Sequence, residues 1–436
     1  SLAGRKRSGR SDYPERMGVR KLHMRQSYKI IPIYTADVSG VCSALYELGG
    51  MTVMHDPSGC NSTYNTHDEI RWYDQDSMIF ISGLTEIDAV MGNDEKLIQD
   101  IEEAARELKP KFIALAGSPI PFMNGTDFPA IAEILEQDLG IPSFSVPTNG
   151  MHDYVYGAGM ALAEIAKRIP DEKESIKDLK PGCQYNKGDN EEKTLQERKV
   201  EKRNIQKIKV QKSVNLLGVT PLDFGPQEHV EAMKKNLEDA GWKVVSVWAM
   251  GNTLEDLNRA PEAEVNLVVS STGLRAAEVL KDRFGIPYVI GTPIKGFMGR
   301  LTEALEKKIK VAYLEEEQET YYHHRLKRTC SNEKEVVLIG EPVTMGSLAA
   351  AIESKYGIAA KVICPLQETE GMLAPWDEKV RGEEEMEKAL KNADIIVADP
   401  LYRPVCPKDA KFYELPHIAF SGRIYKKHLP VLADIV

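Results

Sequence analysis

The 436-residue chain has no long hydrophobic run. Nothing approaches the ~20 consecutive apolar residues of a membrane span, so no membrane partner is expected. Positive charge is short as well: 56 Lys and Arg stand against 66 Asp and Glu, a net of −10. That balance argues against a nucleic-acid partner or an anionic-membrane surface. Cysteine is sparse, with six in the whole chain. They make no disulfide framework and, with no apolar leader ahead of them, fit a reducing cytoplasm where thiols stay free or bind metal. The chain has no Gly-rich loop ending in Gly-Lys-Ser/Thr, so ATP binding of that kind is not expected. CxxC, HExxH and a GxGxxG after the first strand are missing too. The basic, polar residues 1–30 are expected to form a flexible arm, with Met17 as an alternative native start.

What is present is ordinary for a soluble globular protein, 42% hydrophobic, and long enough for about three domains. Apolar runs that read as strands alternate with amphipathic helices. Residues 94–108 place Leu97, Ile98, Ile101, Ala104, Ala105 and Leu108 on one helical face. The runs 111–116, 143–146, 215–219, 265–270, 336–339 and 393–398 read as buried strands. A Gly-Ile junction between helix and strand recurs at Gly140, Gly285 and Gly357. The pattern predicts an α/β fold of three Rossmann-like doubly wound parallel-sheet domains around a central cleft. Their expected bounds are 31–170, 214–334 and 335–436. Residues 171–213, dense in Lys, Glu and Asp, form a charged linker between the first two. Ligands of such domains sit beyond the carboxyl ends of the strands, which is where chemistry is expected.

Residues 40–68 stand out. They read as helix, Gly49-Gly50 stop, buried strand at 51–54, then the turn Asp56-Pro57-Ser58-Gly59. The turn presents Cys60 at a helix N-terminus, where the dipole favours a thiolate. Cys42 lies in the preceding helix. Two cysteines flanking one strand–turn unit suit an iron–sulfur site.

These residues resemble component 1 of the nitrogenase-like reductases. That superfamily includes nitrogenase molybdenum–iron protein subunits, dark-operative protochlorophyllide reductase subunits and the reductive cyclase of coenzyme F430 synthesis. His55-Asp56-Pro57-Ser58-Gly59-Cys60 looks like the family's His-Gly-Pro-x-Gly-Cys turn, which carries a cluster cysteine. Leu84-Thr85-Glu86 with Ala89-Val90-Met91-Gly92 looks like the segment before its "FGG" helix start, and Ser118-Pro119-Ile120 stands where nitrogenase has Cys-Pro-Ile/Val. Residues 266–287 and 402–422 resemble segments of its second and third domains. The resemblance runs over most of the chain from about Tyr34.

The departures narrow what the resemblance implies. Of three P-cluster cysteines only Cys60 survives; the first position falls near Tyr34 and the third is Ser118. The cysteine that anchors the iron–molybdenum cofactor falls at Val269 or Ser270, the pocket histidine and glutamine at Met160 and Tyr156, and the pocket arginine near Asp68. The third-domain histidine falls near Pro416, with His417 adjacent as a weak candidate. No iron–molybdenum cofactor is expected. Subunits of the superfamily pair about a two-fold axis at the cluster, so two copies each of Cys60 and Cys42 would give four ligands to one shared [4Fe–4S] cluster.

Competing readings stand beside these. Cys42 is either a ligand or a small core hydrophobe. Ser118 is a candidate cofactor contact through its hydroxyl, or a hydrogen-bonding loop residue. His67 and Asp68 are candidate catalytic proton donors, or caps facing solvent. His55 orients the turn, and His152 caps a helix before it lines a pocket. His323 and His324 read as solvated surface, Cys183 as a surface thiol, Cys364 as core and Cys406 as a cleft residue.

The expected protein is a cytoplasmic oxidoreductase, the substrate-reducing component of a two-component system. It would work as a homodimer or with a paralogous subunit, fed by a Fe-protein-like ATPase reductase, on a small-molecule or tetrapyrrole-like substrate. The alternative is a non-catalytic scaffold that assembles or carries a metallocluster.

Overall fold

A computed structural model of the chain describes residues 28–57, 64, 68–170, 211–312 and 334–435. Three parallel sheets carry the fold. The first has the order β2-β1-β3-β4, from β1 (Met51–His55), β2 (Met78–Ile81), β3 (Ile113–Gly117) and β4 (Ser143–Val146). The second has the order β6-β5-β7-β8, from β5 (Ser213–Val219), β6 (Lys243–Ala249), β7 (Val265–Val268) and β8 (Tyr288–Ile290). The third has the order β11-β10-β9-β12-β13, from β9 (Val336–Ile339), β10 (Ala360–Cys364), β11 (Glu378–Lys379), β12 (Ile395–Ala398) and β13 (Lys411–Glu414). Central strands are buried throughout, as helices on both faces of a parallel sheet require. The expected α/β class with doubly wound parallel sheets is what the chain adopts.

The strand orders fix where crevices open. In each sheet the chain winds to one side of its first strand and then reverses to the other. The reversals lie between β1 and β3, β5 and β7, and β9 and β12. Diverging connections leave a crevice beyond the strand ends at each reversal.

The sequence reading missed three strands, all at edges. β2 is half-exposed and follows a polar stretch, β13 reads KFYE, and β11 is two residues long. β13 and β11 lack the continuous apolar run that marks a strand buried on both faces, whereas β2, Met-Ile-Phe-Ile, has one and was passed over behind the polar residues that precede it.

Helix packing joins the units. Helix α1 (Asp37–Leu45) lies against the helix Tyr154–Lys167, and both backbones come very close. A Cβ at Gly157 would stand 1.8 Å from the Asp37 carbonyl oxygen, and one at Gly40 would stand 2.2 Å from that of Tyr154. The far face of Tyr154–Lys167 packs on helix Leu274–Phe284 of the second unit, so one apolar core runs through both. Among the described residues no helix is long and apolar enough to cross a membrane.

Candidate functional site

Of the residues singled out from sequence, the crevice between β1 and β3 carries His55 and Ser118. β1 ends at His55, and Asp56 opens the turn towards Cys60; β3 ends at Gly117, followed by Ser118. Cys60 and His67 lie outside the described residues, as do Cys183, His323, His324 and Cys330. The Ser118 N–H donates to the His55 carbonyl at 3.4 Å, closing the two strand ends on each other. The Ser118 side chain is buried, and its Oγ has no hydrogen-bond partner among the described residues. A buried polar atom left this way is costly unless something outside the chain meets it. His55 Nδ1 stands 2.8 Å from Ser82 Oγ, and burial holds its pKa below the usual imidazole value. Beside it opens a polar cavity of about 110 Å³ lined by His55, Ser82, Asp88, Asn93, Lys96 and Asn124.

Cys42 is fully buried in α1. Burial above all, then the charges of Glu69 and Asp68, push its thiol far above the usual range. It sits under the segment 68–72, which an ion-pair network clamps onto α1. Arg71 donates through Nε and Nη2 to both Glu69 oxygens at 2.7 and 2.8 Å, and through Nη1 to Glu47 at 2.8 Å. Tyr64 and Ser43 add hydroxyl donors to Glu69 at 3.0 and 3.2 Å. Of the two readings of Cys42, this geometry is that of a core residue. A ligand shared across an interface has to reach the surface, and Cys42 does not.

Asp68 is buried too, at 2% exposure. Its Oδ2 accepts from Ser39 Oγ at 2.7 Å, and its Oδ1 has no hydrogen-bond partner among the described residues. Desolvation raises its pKa to about 6, against the lowering effect of the Ser39 hydrogen bond. The carboxyl therefore changes charge close to neutrality, the property a proton donor needs. The reading of Asp68 as a solvent-facing cap does not hold.

Two short helices flank the crevice mouth. Glu86–Met91 is started by a Thr85–Asp88 capping box and buries none of its residues. Ile87, Val90 and Met91 are 74, 83 and 78% exposed. Pro119–Asn124, directly after Ser118, exposes Phe122 and Met123 at 57 and 78%. Asn124 Nδ2 donates to the Ala89 carbonyl at 2.8 Å and ties the pair into one apolar surface. Sequence reasoning missed this surface, because a short helix with exposed apolar residues carries no periodic signal separating it from a buried one.

At the centre of the chain the other polar candidates meet. His152 does not cap the helix Tyr154–Lys167, whose N-cap is Asp153; its Nδ1 lies 3.3 Å from Asp37, and its ring stacks on Tyr156 with centroids 4.0 Å apart. His417 Nε2 faces Asp223, and Ser270 Oγ bonds the same carboxylate. Cys364 is core, as expected, and Cys406 is half-buried. Among the described residues, no group of three or more His, Cys, Asp or Glu is placed to hold a metal ion.

Three parallel sheets, each with one winding reversal, define a protein of the α/β class. Comparison with known proteins gives its kinship. The sequence pattern of the nitrogenase component 1 type oxidoreductases matches residues 39–399. The chain belongs to that family. It is 26% identical over 212 residues to a light-independent protochlorophyllide reductase subunit from Zygnema circumcarinatum, covering 48% of this chain and 36% of that protein. Over 83 residues it is 40% identical to the corresponding protein of Leptolyngbya boryana, covering 19% and 16%. The match thus spans about a third or less of these relatives. Among solved structures, one titled "Nitrogenase Cp1 at pH 5" superposes with a TM-score of 0.57 at 18% identity, covering 91% of this chain and 85% of the other. A likeness at that identity concerns the fold.

Proposed function

We propose that the chain is the substrate-reducing component of a nitrogenase-like two-component reductase, receiving electrons from a separate ATP-hydrolysing iron–sulfur reductase. The observation that carries this reading is the β1/β3 crevice. There a buried serine hydroxyl with no hydrogen-bond partner among the described residues and an exposed apolar surface come together, at the end of the strand that the sequence follows with Cys60. Cys60 would hold an iron–sulfur cluster, with the buried Ser118 hydroxyl as a further candidate contact. Such a group, when bound, passes single electrons. With Cys42 in the core, the remaining ligands would come from a second subunit, identical or paralogous. The apolar surface of Ile87, Val90, Met91, Phe122 and Met123 would be covered by a protein partner.

Asp68 is the proton-holding group of this reading. Its carboxyl is desolvated and poised near neutrality, and its unpartnered Oδ1 is the atom from which a proton would leave. The substrate class, small unsaturated molecule or tetrapyrrole, would be set in the cleft between the three units.

Anaerobic purification with iron and sulfide analysis tests the cluster. Wild-type protein should carry both, and Cys60→Ala should lose them. A wild type without iron, or a Cys60→Ala protein with undiminished iron, overturns the reading. Iron that persists without turnover, when a Fe-protein-like reductase and MgATP are supplied, would instead mark a cluster scaffold.

A further inference from the structure

The polar cavity beside His55 has no part in the cluster reading. It lies beyond the carboxyl ends of β1 and β2, where His55 closes one strand and Ser82 follows the other. Its volume of about 110 Å³ has room for several waters or a small ligand group. Helix Asp94–Leu108 forms one wall. Its buried stripe of Leu97, Ile101 and Ala105 fixes the rotation of the helix, and that rotation brings Asp94, Lys96 and Asp100 to the cavity. The two short exposed helices contribute Asp88 and Asn124 to the rim.

Three carboxylates line this cavity against a single ammonium. Asp88 takes that ammonium: Lys96 Nζ lies 3.4 Å from its Oδ2, and the same carboxylate accepts from the Thr85 hydroxyl at 2.7 Å and from Asn93 Nδ2 at 2.8 Å. The Asp94 and Asp100 side chains have no hydrogen bond or ion pair among the described residues. Their negative charge is left without a counter-ion in the cavity wall. His55 completes the lining and is only 8% exposed. Its Nδ1 is engaged with Ser82 Oγ, which also accepts the Asp56 N–H at 3.2 Å. Its Nε2 has no hydrogen-bond partner among the described residues. With Nδ1–H donating to Ser82 Oγ, Nε2 keeps its lone pair and needs an N–H or O–H donor. A ring nitrogen this deeply buried is costly until such a donor meets it.

We propose that this cavity is a binding site for a guanidinium group, held by Asp94, Asp100 and His55 Nε2. The spread of the acceptors selects the ligand. Asp94 and Asp100 stand about 9 Å apart along the helix axis, and His55 belongs to the strand side. A bare metal ion needs donors that converge on one point, and no such group exists among the described residues. An ammonium likewise directs its hydrogens from one point. A guanidinium is planar, always charged and carries a fork of N–H donors on several edges, so it meets acceptors on more than one wall. It supplies the missing positive charge and the missing donor together. A free alkylguanidine and the arginine side chain of another protein present the same group, and the test separates them. The site does not depend on the reductase reading, and its test uses no turnover.

Ligand-observed NMR titration of the full chain with methylguanidinium is the measurement. Saturable binding in the millimolar range is expected, with methylammonium weaker by about tenfold or more. A double variant, Asp94→Asn with Asp100→Asn, alters exposed positions, so Tm should hold. Its affinity for methylguanidinium should fall by about tenfold or more, as the loss of charged hydrogen-bond acceptors requires. No saturable binding, equal affinity for methylammonium, or undiminished binding by the double variant overturns the proposal. Nitrogen-15 labelling of histidine locates the ligand in the wild type, whatever the fate of the variant. A shift of the His55 Nε2 resonance on saturation supports the site, and an unmoved resonance overturns it. Of butylguanidine and N-acetylarginine amide, the tighter ligand identifies the source as a free alkylguanidine or a peptide-borne arginine, and either supports the guanidinium site.

Discussion

Tyr154 of the first unit donates its hydroxyl hydrogen to Asp223 of the second across 2.5 Å, with both side chains excluded from solvent. Removing that hydroxyl leaves a buried carboxyl oxygen with His417 as its nearest remaining partner. Tyr154→Phe is therefore expected to destabilise the chain by about 1–3 kcal/mol, read as a lower unfolding midpoint in denaturant. An unchanged midpoint would mean that the contact contributes nothing net.

The close approach of α1 and the helix Tyr154–Lys167 gives a steric prediction. Gly157→Ala would force a methyl to within 1.8 Å of the Asp37 carbonyl oxygen, a backbone atom that cannot turn aside. A loss on the order of 3 kcal/mol or more is expected from such overpacking. Gly346→Ala, in the helix Pro342–Tyr356 with open space around the added carbon, should be neutral or gain up to ~1 kcal/mol from helix propensity. Equal effects of the two substitutions would refute the packing argument.

Asp68 sets a pH dependence whose sign can be worked out. Its pKa is raised, to about 6, by desolvation. Its burial is therefore best tolerated below the ordinary carboxyl pKa, and stability is lost as pH rises through about 6. Asp68→Asn should remove that part of the slope and be more stable than wild type, relative to low pH, above neutrality. If the carboxyl donates a proton in turnover, wild-type rate should fall as pH rises through the same range, and the Asn variant should lose rate at every pH. A rate that is indifferent to Asn at position 68 would leave Asp68 a structural residue.

The exposed helix pair predicts a defect in association without a defect in folding. Val90→Asp and Met91→Asp alter side chains that are 83 and 78% exposed, so Tm should shift little. Binding to the reductase or to the second subunit, measured by sedimentation or interferometry, should weaken at least tenfold. Undiminished binding to both would remove this surface from any interface.

Cys42→Ala separates the two cysteines. A buried thiol replaced by a methyl should cost on the order of 1 kcal/mol and leave iron content where it was. Loss of iron to the level of Cys60→Ala would restore Cys42 as a ligand.

Much of the architecture was legible in the sequence because its determinants are local. Runs such as Ile113–Gly117 and Val336–Ile339, buried on both faces, need continuous apolar residues, and the helices between them need a 3.6-residue apolar period. Edge strands such as Lys411–Glu414 were not legible, since they are specified by a neighbour's hydrogen bonds rather than by their own pattern. The turn expected at Asp-Pro-Ser-Gly, ahead of Cys60, lies largely outside the described residues.

Burial and charge environment were decided by tertiary structure alone. Nothing in the order of residues 37–45 says that Cys42 faces inward under Arg71 and Glu69, or that Asp68 loses its water to become an acid near neutrality. Tyr154 and Asp223 lie far apart in the chain, and no spacing rule relates them. They meet because the helix Tyr154–Lys167 packs against the second unit, and the cost of leaving either group without a partner exists only once water has been excluded. The sequence by itself determined the wound parallel sheets, whose apolar runs are local. The folded chain determined which of its polar side chains lie out of water.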